Sequence, residues 1–357
     1  MGLNRRGFLL QSLALSAAPV GSAAWAQAQA KLEDSLVIRT TGGVFEQALK
    51  RNFFDPFSKA TGVKVVPVAA SYGEMMAKTA AMNASGRIEW DIISPQYYEL
   101  EKLSNVLADL GDCSAMPNVA KEGVSNACGR YGVLYLIGGQ VLTWSTQAFK
   151  DKRPTKWADL WDQSSFPGPR ALPNTGSPWA NLIISLIADG VDPAKLFPLD
   201  LDRAFAKLDA LKPHVAVWWR TGNQSQQIWR AGDAVMGLMW SGTAYATKRS
   251  GVPIEWTYDD AVADFGSWGV LKGAPHPNAA RAFIDFYMSN PENHAAFSRE
   301  MGYTTSNKAS QALLTDDEKK DLISSPETLR QIINLDADWL EKYRAATLDR
   351  WNKWLST

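Results

Sequence analysis

RTTGGVFEQALKRNFF, running from Arg39 to Phe54, changes its period halfway along. The apolar run Leu36–Arg39 reads as a short strand and stops at Thr40-Thr41-Gly42-Gly43. Beyond the glycines, Phe45, Ala48, Leu49 and Phe53 recur at helical spacing, which predicts an amphipathic helix. A strand, a glycine turn and a helix start can hold a small polar group. Glycine lets the backbone come close, and free N–H groups at a helix start point outward. The same residues fit a plain strand-to-helix turn equally well.

The alternation continues outward from this unit. The helix pattern over Val44–Ala60 contains Asp55-Pro56, which reads as an N-cap and first position of a restarted helix, closed by Gly62. Strands are expected at Val63–Val68 and Asp91–Ser94, with a helix over Glu74–Ser85 between them. Tyr131–Ile137 and Val141–Trp144 are strand candidates around Gly138-Gly139. The pattern then begins again. Strands are expected at Arg170–Pro173, Val215–Trp218, Ala234–Trp240 and Phe265–Leu271. Helices are expected at Trp157–Trp161, Trp179–Ala188, Asp202–Leu211, Ser225–Trp229, Pro277–Ser289 and Pro291–Glu300, and throughout Thr315–Ser356. Strands alternating with helices predict largely parallel sheets covered on both faces. Crossing segments near Val141–Trp144 and Ser267 suggest that the second lobe is inserted into the first.

The 357 residues suffice for two or three domain-sized units, and 46% apolar residues can fill their cores. Lys plus Arg equals Asp plus Glu, at 37 each, so no excess positive field exists for nucleic acid or an anionic membrane. The 15 tryptophans can line a ligand cleft, though about two-thirds are expected in the core.

Asn4-Arg5-Arg6-Gly7-Phe8-Leu9-Leu10, followed by an apolar stretch to Ala24, resembles a twin-arginine export signal. An ordinary secretory signal is the alternative. Ala24-Trp25-Ala26 and Ala28-Gln29-Ala30 are candidate cleavage sites, so residues 1–30 are read as a leader and the destination as the periplasm. No later stretch approaches the length a bilayer needs, so the chain is not expected to be membrane-embedded. Cys113 and Cys128 are the only cysteines, and in an oxidising compartment they are expected to pair. Closing so short a loop contributes about 3 kcal/mol. Spacing alone leaves two free thiols as the alternative.

Several stretches together resemble one family. TTGGVFEQALKRNFFDPFSKATGVKV (40–65) is similar to the first strand-helix-strand unit of extracellular solute-binding proteins. SYGEMMAKT (71–79), WDIISPQYYEL (90–100), TKWADLW (155–161), GLMWSGTAYATKRSGVPIEW (237–256) and FIDFYMSNPENHAAFSREMGYTTSN (283–307) resemble the spermidine/putrescine-binding branch. The resemblance implies a two-lobed α/β fold of the type II periplasmic-binding-protein kind, with mixed, mainly parallel sheets and a ligand cleft between lobes. It implies a monomeric receptor that closes on a small solute and presents it to an inner-membrane ABC permease, without cofactor or metal. Lobe 1 is expected over 31–143 and 267–314, and lobe 2 over 144–266 and 315–357.

Carried over residue by residue, the resemblance assigns a ligand site to Thr40, Thr41, Gly42 and Gly43, with Ser71 and Tyr72. Gln96 follows the third strand, and Asn174, Thr175 and Ser177 follow the short strand of lobe 2. Asn223 opens a helix beside Gln224 and Ser225, where simple capping is the alternative. Trp240, Ser241 and Tyr303 keep family positions, Phe265 takes an aromatic place, and Ser267 stands where the branch has an acid. The aromatic walls survive while the carboxylates do not. A buried ammonium needs an anion or several oxygens, because rings contribute only about 0.5–2 kcal/mol each. The solute is therefore expected to be less cationic than a polyamine: zwitterionic, hydroxylated, or bearing a carboxylate, phosphonate or sulfonate. Asp259, Asp260 and Asp264 read as solvated loop acids that could instead compensate, and Arg220 as a surface arginine that could add charge.

Two other readings are weaker. An enzyme lacks support: His214, His276 and His294 are scattered and read as surface residues, and no hydrolase, nucleotide or zinc motif is present. A thiaminase-like transferase on this fold would need Cys113 or Cys128 as nucleophile. Tyr97-Tyr98 invites a ferric-ion carrier, but the matching pair in the polyamine branch packs.

Overall fold

The strand-turn-helix unit around Arg39 is present in the computed structural model, which describes residues 31–323 and 326–357. The expected leader, residues 1–30, lies outside the described residues. Among the described residues ten strands run in chain order: β1 Ser35–Thr40, β2 Lys64–Ala69, β3 Ile92–Ile93, β4 Cys128–Gly129, β5 Gly132–Ser145, β6 Arg170–Pro173, β7 Val215–Trp219, β8 Met236–Trp240, β9 Ile254–Val270 and β10 Thr304–Thr305. The spatial order is β2-β1-β3-β9-β5-β8-β6-β7, with β4 and β10 paired to β5. β1 is parallel to β2 and β3, and β6 is parallel to β7 and β8. β9 is antiparallel to β3, and β5 is antiparallel to β8. The same topology therefore occurs twice, once in each half, although the sequence carries no repeat.

β5 and β9 are the crossing strands. They pair from Val133–Trp268 to Ser145–Ile254, with register shifts at Leu134/Leu136 and Gln140/Leu142 where one half hands over to the other. Each half has its own core. Leu36, Ile38, Phe53, Phe54, Trp268 and Phe283 fill the first, and Leu142, Trp157, Ile183, Phe205, Trp219 and Trp351 fill the second. Leu134, Ile137, Val141, Ala261 and Ala263 form a smaller cluster along the crossing strands. Most tryptophans go to these cores, as their apolar area favours.

Four local expectations need correction. Asp55 is no N-cap: its backbone is helical (φ −65°, ψ −43°), and the chain passes from Gly43–Leu49 through a π turn at Lys50–Phe54 into Asp55–Thr61. The wider turn opens the ladder just ahead of Pro56, whose ring would otherwise meet the carbonyl four residues back. Gly138-Gly139 is no break, since β5 runs straight through it. A Cβ at Gly138 would lie 2.6 Å from the Tyr303 ring, so glycine is needed there for close packing. The tail is three helices, Asp316–Lys320, Pro326–Gln331 and Ala337–Ser356, because Thr315 and Asp336 cap new starts. His294 is not a surface residue. It is fully buried against Phe53 and Tyr287, its Nε2 is 2.7 Å from the Tyr287 carbonyl, and burial lowers its pKa to about 4.

Cys113 and Cys128 are joined, closing a 15-residue separation. Replacing both with serine should cost about 3 kcal/mol of stability through lost loop constraint. The urea midpoint of the double variant checks this, and a midpoint equal to that of the parent chain would contradict it.

Candidate functional site

The loops at the carboxyl ends of the parallel strands face one another across the crossing strands, the place where open α/β sheets take ligands. A cleft of about 320 Å³ lies there. β1 and the turn after it contribute Arg39, Thr41 and Gly42, and the turn after β2 contributes Ser71 and Tyr72. Ser94, Gln96 and Tyr98 follow β3. Across the gap, Thr175, Ser177 and Trp179 follow β6, Arg220 and Asn223 follow β7, and Trp240 ends β8. Asp264 and Gly266 of β9 line the cleft between the jaws, with Tyr135 of β5 and Tyr303.

Two ionisable side chains of opposite kind, Arg39 and Asp264, meet this cleft without meeting each other. Arg39 is 2% exposed. Its Nη1 donates to Ser94 Oγ at 2.7 Å and its Nη2 donates to the Ala70 carbonyl, while Nε has no partner. Burial pulls its pKa down to about 10, which leaves it charged at neutral pH. Asp264 accepts from Gln96 Nε2 at 2.9 Å, and burial pushes its pKa up. Gln96 Oε1 is buried and unpartnered, a free acceptor beside the carboxylate. Burial also raises the phenol pKa values of Tyr98, Tyr135 and Tyr303, so these groups are neutral hydroxyls around Asp264. Arg220 lies exposed at the cleft wall.

Rings form the remaining walls. Trp240 packs edge-on against Trp219, with centroids 5.0 Å apart, and Tyr303 packs against Phe45 at 6.0 Å. A Cβ at Gly242 would sit 2.1 Å from the Tyr303 ring, so only glycine lets that ring reach the cleft. Trp179 and Trp240 are the tryptophans that line it among the described residues.

Of the residues singled out from sequence, the cleft gathers Thr41, Gly42, Ser71, Tyr72, Gln96, Thr175, Ser177, Asn223, Trp240 and Tyr303. The others fall outside its lining. Thr40 is buried and donates its hydroxyl to Glu46. Gly43 faces the Asn223 amide across the mouth, where an added Cβ would lie 3.3 Å from it. Asn174 Oδ1 accepts from Trp351 Nε1 at 3.2 Å, and Ser241 Oγ accepts from the Gly139 N–H at 3.2 Å. Phe265 packs into the crossing-strand cluster and Ser267 is fully buried, because side chains alternate along β9 and Asp264 and Gly266 take the cleft side. Gln224 Oε1 accepts from the Arg220 N–H at 2.8 Å, and its own N–H bonds the Thr221 cap at 3.1 Å.

Sequence reasoning missed Arg39, Tyr135 and Trp179, and it set Asp264 among loop acids. Asp264 and Asp259 both lie in β9, but Asp259 is exposed while Asp264 turns into the cleft. Arg39 gave a usable signal: a charge at the carboxyl end of an otherwise apolar parallel strand. The alternative chemistries lose their supports. Both cysteines are in the disulfide, so neither serves as a nucleophile. Tyr97 donates its hydroxyl to the Asn126 carbonyl at 2.9 Å while Tyr98 lines the cleft, so the adjacent phenols do not converge on one ion.

Comparison with known proteins agrees with this geometry. Residues 52–326 match the family described as bacterial extracellular solute-binding protein. The chain is 32% identical over 344 residues, 93% of each protein, to the gamma-aminobutyric acid-binding protein of Pseudomonas aeruginosa. It is 25% identical over 294 residues to spermidine/putrescine-binding periplasmic protein 1 of Haemophilus influenzae, covering 79% of this chain and 78% of that one. The solved structure of Agrobacterium tumefaciens C58 AttC, open and unliganded, superposes with a TM-score of 0.68 at 35% identity, covering 90% of this chain and all of that one. A two-lobed α/β fold, a polar cleft at the strand ends and these likenesses lead to one assignment: the chain belongs to the bacterial extracellular solute-binding proteins, the receptors that serve ABC transporters.

Proposed function

We propose that the solute is a small zwitterion carrying an ammonium and a carboxylate at opposite ends, of the ω-amino acid class. The observation that carries this is the pair of unneutralised charges in one cleft, Arg39 and Asp264, each bonded only to neutral groups. Leaving either charge buried and unpaired is costly, and a solute with complementary ends removes both costs at once. The carboxylate end faces Arg39, with Arg220 adding positive potential from the other jaw. The ammonium end faces Asp264 and Gln96 Oε1, and the rings of Trp240, Tyr98 and Tyr303 cover the alkyl body. A diamine satisfies Asp264 but sets a cation against Arg39, and a dicarboxylate makes the opposite error. The relative named for gamma-aminobutyric acid supports this reading. A volume of about 320 Å³ suits a solute of this size.

Residues 31–143 with 267–314, and 144–266 with 315–357, act as the two jaws. Closure on the solute shifts the population toward the form that the permease recognises. Residues 1–30 direct the chain out of the cytoplasm to the periplasm. Capture needs no chemistry, so the protein works as a receptor and not as an enzyme.

Calorimetry and thermal shift with γ-aminobutyrate, putrescine and succinate test the assignment. At a hundredfold excess over its Kd, γ-aminobutyrate should stabilise the chain by about 2.7 kcal/mol. That corresponds to a melting shift of about 5 °C. A larger shift with putrescine would overturn the zwitterion reading.

A further inference from the structure

Behind the cleft, one line of side chains joins the two jaws. Tyr72 and Trp179 both line the cleft, the first from the helix after β2 and the second from the helix after β6. The Tyr72 hydroxyl donates to Glu99 Oε2, and Arg344 Nη2 pairs with Glu99 Oε1. The Arg344 guanidinium also lies over the Trp179 ring, 5.6 Å from its centroid. Glu99 is 4% exposed, so its carboxylate is shielded from water in the shape seen here, while the Arg344 side chain stays 32% exposed.

The ends of this line belong to different bodies. Glu99 follows β3 in the first half, and Tyr72 begins a helix there whose Met75 and Met82 pack with Ile93 and Leu100. Arg344 lies on Ala337–Ser356, whose Trp339, Leu340 and Trp351 pack into the core of the second half with Phe205 and Leu208. Arg350 pairs with Asp202 at 2.6 Å and holds that helix further to the second half. Beside this half-buried pair, Lys102 reaches Asp338 and Glu341 at 2.8 and 2.7 Å, an exposed rim that adds little by itself.

We infer that Glu99 and Arg344 are positioning residues that form a closure-dependent clasp, setting the open-to-closed balance and holding Tyr72 and Trp179 against the solute. Separating the jaws breaks the ion pair, because its members ride on different cores. In the shape seen here Glu99 is desolvated and Arg344 is its compensating cation, so the pairing goes with the approach of the two jaws. Tyr72 ties the clasp to occupancy: its ring faces the solute while its hydroxyl fixes the carboxylate that Arg344 engages. Neither Glu99 nor Arg344 lines the cleft, so their effect on affinity passes through the two rings.

The test begins on the full chain without solute, by small-angle scattering of the parent, Arg344→Met, Arg344→Lys and the double variant Glu99→Gln/Arg344→Met. The double variant removes both charges, so no orphaned carboxylate threatens its fold. Arg344→Met and the double variant should shift to a larger maximum dimension, with Arg344→Lys falling between them and the parent. Arg203→Met, which removes an exposed pair to Asp189 within the second half, should leave the profile unchanged. In a second arm, resting on the zwitterion reading, the dissociation rate of γ-aminobutyrate should rise about tenfold in the double variant with little change in association rate. Adding Tyr72→Phe should then cost less than it does in the parent, since both changes cut the same line. Unchanged scattering profiles in all three variants would overturn the clasp, as would a full, additive effect of Tyr72→Phe in the double variant. A parent chain that ignores γ-aminobutyrate while the scattering shift appears would overturn the solute assignment and leave the clasp standing.

Discussion

Arg39→Met should weaken γ-aminobutyrate binding by two to three orders of magnitude and reverse the preference of the cleft toward putrescine. Arg39 is the buried cation of the site, and its unpartnered Nε marks bonding capacity that the protein itself does not use. Removing one partner of a buried pair costs about 3–5 kcal/mol, because the other partner is left without compensation. Here that other partner is the carboxylate of the solute. A diamine gains from the same change, since the cation opposing its second ammonium is gone while Asp264 remains. Methionine keeps the length of the side chain, though Ser94 and the Ala70 carbonyl each lose a donor, so some stability will be lost. Arg39→Lys separates charge from shape: it restores a cation without the planar fork, and should recover part of the affinity. Calorimetry with both solutes on circular-dichroism-matched variants checks the reversal. Loss of both solutes in equal measure would show that Arg39 only shapes the jaw.

The alternation of strands and helices was readable because each lobe buries its inner strands on both faces, which writes apolar runs at β1, β6 and β8. The crossing strand β9 was not fully readable. Its segment Thr257 to Asp264 carries three aspartates, which signal a loop when apolar residues mark strands. Two of those acids have structural reasons to be there. Asp260 takes a positive φ of 52°, a conformation that aspartate tolerates better than most residues, and its carbonyl accepts from Trp157 Nε1 at 2.8 Å. Asp264 faces the cleft. A strand that forms the floor of a polar cleft must break the apolar pattern where it faces that cleft, so its cleft-lining acid is the residue that obeys the pattern least. Ser267 shows the converse error. Matching a family position gave it the acid's place, but the alternation of β9 turns it into the core, three residues from Asp264, the acid that lines the cleft. Thr41, Gly42, Gln96, Trp240 and Tyr303 line the cleft because each sits at or just beyond an element's end, where local sequence and cleft geometry coincide.

Asp264→Asn separates binding from stability, because the two should move in opposite directions. The carboxylate is held by Gln96 and ringed by neutral phenols, with no cation among the described residues paired to it. Burial raises its pKa, so the folded chain keeps this proton to higher pH than the unfolded chain does. Between the two values the folded state binds more protons, and the contribution of this group to stability falls as pH rises. Above the raised value the full penalty of the unpaired charge is present. Asparagine removes that penalty and still offers Oδ1 to Gln96 Nε2. The solute-free variant should therefore melt a few degrees above the parent at pH 7.5, with the difference vanishing below about pH 4, near the ordinary aspartate value. The same change takes the anion from the ammonium of the solute, and γ-aminobutyrate should bind about a hundredfold more weakly, a loss of about 3 kcal/mol. In the parent chain, affinity should decline as pH falls through the raised pKa of Asp264, whereas the residual affinity of the variant should be flat over that interval. A variant that binds as tightly as the parent, or that melts lower without solute, would show that Asp264 is an ordinary structural acid and that the ammonium lies elsewhere.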